Sequence, residues 1–269
     1  KESFEFFFVK GKLETARATD TCDKEVTLYV RHGEFLGESQ FFVYPSTTEE
    51  DLQRLIAEGV EKASLICNKP YELPANDEGS YVIDSNFSGM KPTEAAKLIA
   101  ETVFAANTVE GGSLNSVEIF INRYEESVKN SRGVCKTQTR YTAMVEAIPT
   151  FNGESQSVEL YEQYNFASLD LEALTREISD KMVEVSARYR AEKPTGMPEC
   201  AVVLKPLELS ELFWNLADDA SFATVFTSST RYSKGDALQS GEGGDKLNVT
   251  LCGKMAGNYA SREFDADGL

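Results

Sequence analysis

From Val117 to Pro149 polar and apolar residues alternate almost without interruption, beginning with Val117-Glu118-Ile119-Phe120-Ile121. A repeat of two sends successive side chains to opposite faces, which only extended strands do. Alternation of this kind, with one wet face and one dry face, belongs to antiparallel sheets and not to the continuously apolar strands of a buried parallel sheet. Gly111-Gly112 separates the passage from what precedes it. The rest of the chain must therefore supply cover for one face of an antiparallel sheet.

Candidates for that cover are legible on both sides. From Glu2 to Arg17 the pattern is strand-like, and Val26 to Tyr44 reads as two strands meeting at Arg31-His32-Gly33-Glu34, where glycine can supply positive φ. Thr47 stands three residues before Glu50 as in a capping box, and Leu52, Leu55, Ile56, Ala63, Ile66 and Cys67 follow largely on one helical face. After a loop-rich passage from Pro70, Pro92 sits where a first helical turn tolerates proline, before Ala95, Leu98, Ile99, Val103 and Ala106. A further strand is expected from about Ser155 to Phe166. A third helix is expected from about Leu169 to Ala191, through Leu171, Leu174, Ile178, Val185 and Tyr189.

This order is that of an α+β protein, with antiparallel sheets and helices packed on one face. Past Thr195-Gly196-Met197-Pro198 the character changes: Cys200 to Leu204 reads as a buried strand, Leu207 to Leu216 as a short helix, and the remainder is rich in glycine, serine and aspartate. We read residues 1–112 as an N-terminal α+β domain and 113–198 as a central sheet-plus-helix region. Residues 199–269 read as the beginning of a β-rich C-terminal domain, so that the chain is expected to be the front part of a longer protein.

Forty-four acidic against 27 basic residues give a formal net charge of −17, which repels a phosphate backbone and argues against nucleic acid as a partner. The densest basic stretch holds Lys129, Arg132, Lys136 and Arg140, and reads as a solvated strand face. No run approaches the apolar length of a membrane span, and Lys1 to Val9 lacks the form of a signal peptide. Cys22, Cys67, Cys135, Cys200 and Cys252 are scattered and odd in number, which suits reduced thiols in the cytoplasm better than a disulfide framework.

The chemistry available is narrow. His32 is the single histidine, expected in an exposed turn, so neither a paired-histidine zinc motif nor a histidine-activated serine can be assembled locally. Gly37-Glu38-Ser39-Gln40-Phe41 fails as a nucleophile elbow at its last position, and Gly11-Lys12-Leu13 and Gly253-Lys254-Met255 lack the serine or threonine of a phosphate loop. Gly241-Glu242-Gly243-Gly244-Asp245 reads as a flexible turn, and Asp218-Asp219 and Asp265-Ala266-Asp267 as solvated turns without full calcium-loop spacing. No catalytic, cofactor-binding or metal-binding residue is assigned.

Several stretches, taken in order, resemble the TldD/PmbA family, also called modulator of DNA gyrase. They are Val30-Arg31-His32-Gly33-Glu34-Phe35-Leu36-Gly37, then Asn130-Ser131-Arg132-Gly133-Val134 followed by Arg140, then Ala201 to Pro206, and finally Phe264-Asp265-Ala266-Asp267-Gly268. The resemblance implies a peptidase-like protein. Catalytic members carry His-Glu-x-x-x-His directly after the position of Pro206, where this chain reads Leu207-Glu208-Leu209-Ser210-Glu211-Leu212. The chain is thus similar to the PmbA (TldE) branch, a partner subunit without the metal motif. That branch implies a heterodimer with a zinc-bearing TldD-like subunit, or a homodimer, acting on unfolded or extended peptides and in peptide maturation. Two other readings stay open: an active metallopeptidase with ligands outside this sequence, and a regulatory binding protein unconnected with proteolysis.

Overall fold

The computed structural model describes residues 1–196, 199–237, 249–250 and 252–269. Contacts divide them into a unit of residues 1–191 with 253–269 and a smaller unit of residues 192–252.

The centre of the first unit is the long alternating passage, which forms β6 (Gly112–Lys129) and β7 (Cys135–Asn152), paired antiparallel over most of their length. The strand-like N-terminal stretch is divided into β1 (Glu2–Val9) and β2 (Lys12–Asp20) by a tight turn with positive φ at Lys10 and Gly11. A two-residue turn of this kind matches the twist of the strands it joins. β5 (Glu78–Val82) pairs parallel with β7, giving the sheet order β2-β1-β6-β7-β5. The strand expected from Ser155 to Phe166 is two short strands, β8 (Ser157–Glu159) and β9 (Glu162–Phe166), both on β7 and separated where the Leu160 side chain turns into the core.

Two helices cover one face of this sheet. α2 (Pro92–Ala105) has Pro92 in its first turn and buries Ala95, Ala96, Ile99, Ala100 and Val103, whereas Leu98, expected on the same face, is exposed. α3 (Leu171–Arg190) is capped by the Asp170 carboxylate, which accepts from the Ala173 amide at 2.9 Å, and buries Leu174, Ile178, Met182 and Val185. These side chains meet Phe6, Val117, Ile119, Ile121, Ala143, Val145 and Ala147 in one apolar core.

A second, two-stranded sheet consists of β3 (Lys24–His32) and β4 (Phe35–Val43), turning at Gly33, where φ is +59°. α1 (Glu49–Ala63) packs on it. Its cap is Thr48 and not Thr47: the Thr48 hydroxyl accepts from the Asp51 amide at 3.1 Å, while Thr47 accepts from the Tyr44 amide in the preceding turn. The helix ends before Ile66 and Cys67, which are exposed. It can approach β4 closely because Gly37 has no side chain; a Cβ there would lie 1.7 Å from the Ala63 carbonyl oxygen.

In the second unit the described residues form α4 (Pro206–Asp219) and α5 (Phe222–Phe226) and no strand. The strand expected from Cys200 to Leu204 is not formed, and Val203 is 93% exposed. Its apolar run had suggested burial in a sheet, but no described strand lies against it. Gly241 to Asp245 fall outside the described residues.

Candidate functional site

The family-like motifs of the first unit converge at the far end of β6 and β7. Asn130 closes the turn between the two strands: its carboxamide oxygen accepts from the Arg132 and Val134 amides at 2.9 and 3.0 Å, and its nitrogen donates to the Pro74 carbonyl at 2.9 Å. Gly133 has a φ of +92°, which L side chains rarely adopt, and a Cβ there would lie 3.0 Å from the Asn76 carboxamide oxygen. Arg132 pairs with Glu72.

The segment from Gly253 to Leu269 folds back onto this hairpin, on the face opposite the helices. Phe264 is buried there beside Tyr81, with 6.3 Å between ring centroids. Gln138 clamps the segment at both ends of its amide, accepting from the Glu263 amide at 2.8 Å and donating to the Phe264 carbonyl at 3.3 Å. Lys136 donates to the Gly268 carbonyl at 2.7 Å and pairs with Asp77. One Asp265 carboxylate oxygen accepts from the Asp267 and Leu269 amides at 3.0 and 2.9 Å, making the acidic-glycine motif a self-capped turn. Asp219, in the other unit, pairs with Arg231 at 2.9 Å.

Lys136 and Arg140 are therefore not on a solvated strand face; each is 7% exposed. Arg140 forms two bonds with Glu126, at 3.1 and 3.2 Å, and lies over the Tyr124 ring at 3.6 Å. Planar stacking together with a bidentate carboxylate suits guanidinium and not ammonium. The neighbouring Arg262 is lowered from its ordinary range, first by burial and then by Arg140. The spacing of the basic residues had suggested exposure because the segment that covers them lies more than 120 residues further on.

His32 ends β3, and its Nε2 lies 2.8 Å from the Ile66 carbonyl, so the ring secures the chain after α1 and is not a free turn residue. Ser39 donates to the Gly59 carbonyl at 2.8 Å and so ties β4 to α1.

Zinc, which the resemblance places in catalytic relatives, does not fit the corresponding helix. α4 begins at Pro206 and offers Glu208 and Glu211 but no imidazole, and none of its residues is buried. Among the described residues no three His, Cys, Asp or Glu side chains converge. Leu207, Leu209, Leu212 and Trp214 are instead exposed.

Two further features lie on the sheet. On the face away from the helices Glu118 of β6 lies opposite Glu146 of β7 and diagonal to Glu5 of β1, with Arg17 paired to Glu5. Burial raises the Glu118 carboxyl above the usual range, and hydrogen bonding to Glu5 and the charges of Glu5 and Glu146 add to it. On the helix side a cleft of about 980 Å³ opens beside β2 and α2, floored by Phe6, Phe8, Leu13, Phe104 and Leu114.

No protein-family model matches the chain, and no curated protein matches it. Solved structures do. TldE from Thermococcus kodakarensis is 14% identical with a TM-score of 0.50, the match covering 68% of this chain and 42% of that one. A proposed modulator of DNA gyrase from Bacteroides thetaiotaomicron VPI-5482 is 12% identical with a TM-score of 0.53, covering 84% of this chain and 52% of that one. The architecture is the α+β fold of these proteins, the same group that the sequence motifs resemble. The chain spans about half the length of either structure or less.

Proposed function

We propose that the chain belongs to a TldE-like, non-catalytic subunit of a cytoplasmic metalloprotease complex that acts on unfolded peptides and in peptide maturation. One observation supports the reading: in a chain with the fold of TldE, the helix that begins at Pro206 presents leucine, glutamate and tryptophan at the place where the resemblance puts two histidines in catalytic relatives. The paired-histidine zinc site that the resemblance gives to catalytic relatives needs two imidazole donors, and this helix has none. The chemistry then resides in a zinc-bearing TldD-like partner, and this chain supplies surface.

The test is turnover of an unfolded peptide by the full-length protein, alone and mixed with a TldD-like subunit, with and without chelator. The expected result is chelator-sensitive cleavage by the mixture and none by this subunit. Chelator-sensitive turnover by the subunit alone would overturn the reading in favour of an active peptidase.

A further inference from the structure

We infer that Arg140 and Arg262, with Lys1 beside them, form a binding site for the phosphate group of a small molecule on the sheet face away from the helices. This does not depend on the proteolytic reading. Strand register brings the three cations together. Arg140 of β7 lies directly opposite Tyr124 of β6, and Lys1, which precedes the Glu2 to Arg123 pair, falls beside Tyr124 from the β1 flank. The Arg140 guanidinium stacks on the Tyr124 ring at 3.6 Å, and the Lys1 ammonium stands 5.3 Å from the same ring. Arg262 reaches them from the returning segment, its Nε 4.0 Å from the Glu126 oxygen that Arg140 Nε holds at 3.1 Å.

Among the described residues Glu126 is the only carboxylate that pairs with any of these cations. The acids nearest in sequence are engaged elsewhere: Glu263 pairs with Lys254 at 2.7 Å, Glu125 pairs with Arg123 at 2.8 Å, and Asp265 caps its own turn. Three positive charges against one negative leave an excess of two, in a chain whose net charge is −17. The lowering of Arg262, first by burial and then by Arg140, reflects an excess that the fold leaves uncompensated.

Donors remain for a ligand to use. Arg140 directs Nε and Nη2 to Glu126, and Arg262 directs Nη1 to the Ala260 and Ser261 carbonyls at 3.0 and 3.1 Å. Arg140 Nη1 and Arg262 Nη2 have no acceptor among the described residues, and neither is sealed from solvent. A guanidinium already fixed by a carboxylate and an aromatic ring loses little further freedom when it grips an oxyanion. The charge count selects the class of ligand. A carboxylate would neutralise only one charge of the excess, whereas a phosphate monoester carries about −1.5 to −2 near pH 7 and matches it. The acidic remainder of the chain repels a polyphosphate backbone, which restricts the ligand to a small molecule.

Titration calorimetry with glycerol 3-phosphate at low salt tests the site. The wild-type chain is expected to bind it saturably, one to one. Arg262→Gln should weaken binding by about tenfold or more, the loss of a charge-assisted hydrogen bond. Lys97→Gln removes an equal charge from α2, on the other face of the sheet, and should leave binding unchanged. Inorganic phosphate serves as a second probe: binding as tight as the ester's names the free ion as the ligand, and weaker binding names an ester. The absence of saturable binding, equal weakening by the two substitutions, or acetate binding as tightly as phosphate overturns the proposal. Should Arg262→Gln fold poorly, the wild type decides. Glycerol 3-phosphate must raise its melting temperature more than sodium chloride does at equal ionic strength, and an equal rise refutes the site.

Discussion

At the scale of single residues, the sharpest constraint is Gly37, whose position against the end of α1 is set by backbone and not by a side chain that could move aside. Gly37→Ala is expected to cost at least about 3 kcal/mol, at the upper end for forced packing, read as a lower urea midpoint with the slope preserved. Glu118 makes a different kind of prediction. Its carboxyl is raised in the folded state, by burial and then by Glu5 and Glu146. The folded chain therefore binds a proton more readily than the unfolded chain, and stability falls as pH rises from the ordinary glutamate range through the raised value. Above that window the cost is fully present, and below it the cost vanishes. Glu118→Gln should flatten the fall and stabilise the chain at neutral pH by less than about 1 kcal/mol, since these carboxylates are screened by solvent. Melting temperatures of both proteins at pH 4 and pH 7 check it; an equal gap at the two values would refute the assigned cause.

Among the elements, those whose signals are local were legible in the sequence: the β6 and β7 alternation, Pro92 opening α2, and the apolar stripe of α3. The Asp170 cap belongs to the same class, and Asp170→Ala should cost about 1 kcal/mol, measurable by chemical denaturation. What local signals cannot give is which side of an alternating strand is covered, and by what. Along β7 the buried side changes: Ala143, Val145 and Ala147 face the helices, while Lys136, Gln138 and Arg140 are buried on the other face by a segment from the chain's far end. Alternation is identical in the two cases, so the basic residues looked solvated. The reverse error occurred at Cys200 to Leu204, where an apolar run without a partner strand among the described residues stays exposed. The candidate site was legible as separate motifs, Asn130 to Val134, Arg140 and Phe264 to Gly268, and not as a joined structure; the Gln138 clamp that joins them had no sequence signal at all. Arg140 nonetheless carries a consequence. Glu126→Ala removes its bidentate partner and leaves a buried guanidinium underbonded, which should cost about 2 kcal/mol or more, whereas Glu126→Asp should recover part of that loss in the same denaturation assay.

At the scale of the whole molecule, residues 253–269 close a loop that begins at the end of α3, and their attachment decides how the hairpin tip behaves. The attachment combines one apolar anchor, Phe264, with polar ties from Gln138 and Lys136. Polar ties of this kind are worth little net, because water replaces them when the segment lifts. The anchor should therefore dominate. Phe264→Ala is expected to cost about 3 kcal/mol, but the remaining apolar core lies on the opposite face and does not depend on it. The loss should thus appear as local opening and not as global unfolding. Hydrogen exchange of the Asp265 and Gly268 amides should accelerate by a factor on the order of 100, matching that cost, while amides of Val117, Ile119 and Val145 keep their rates. Equal acceleration of both sets would mean that the segment and the helix-side core unfold as one body.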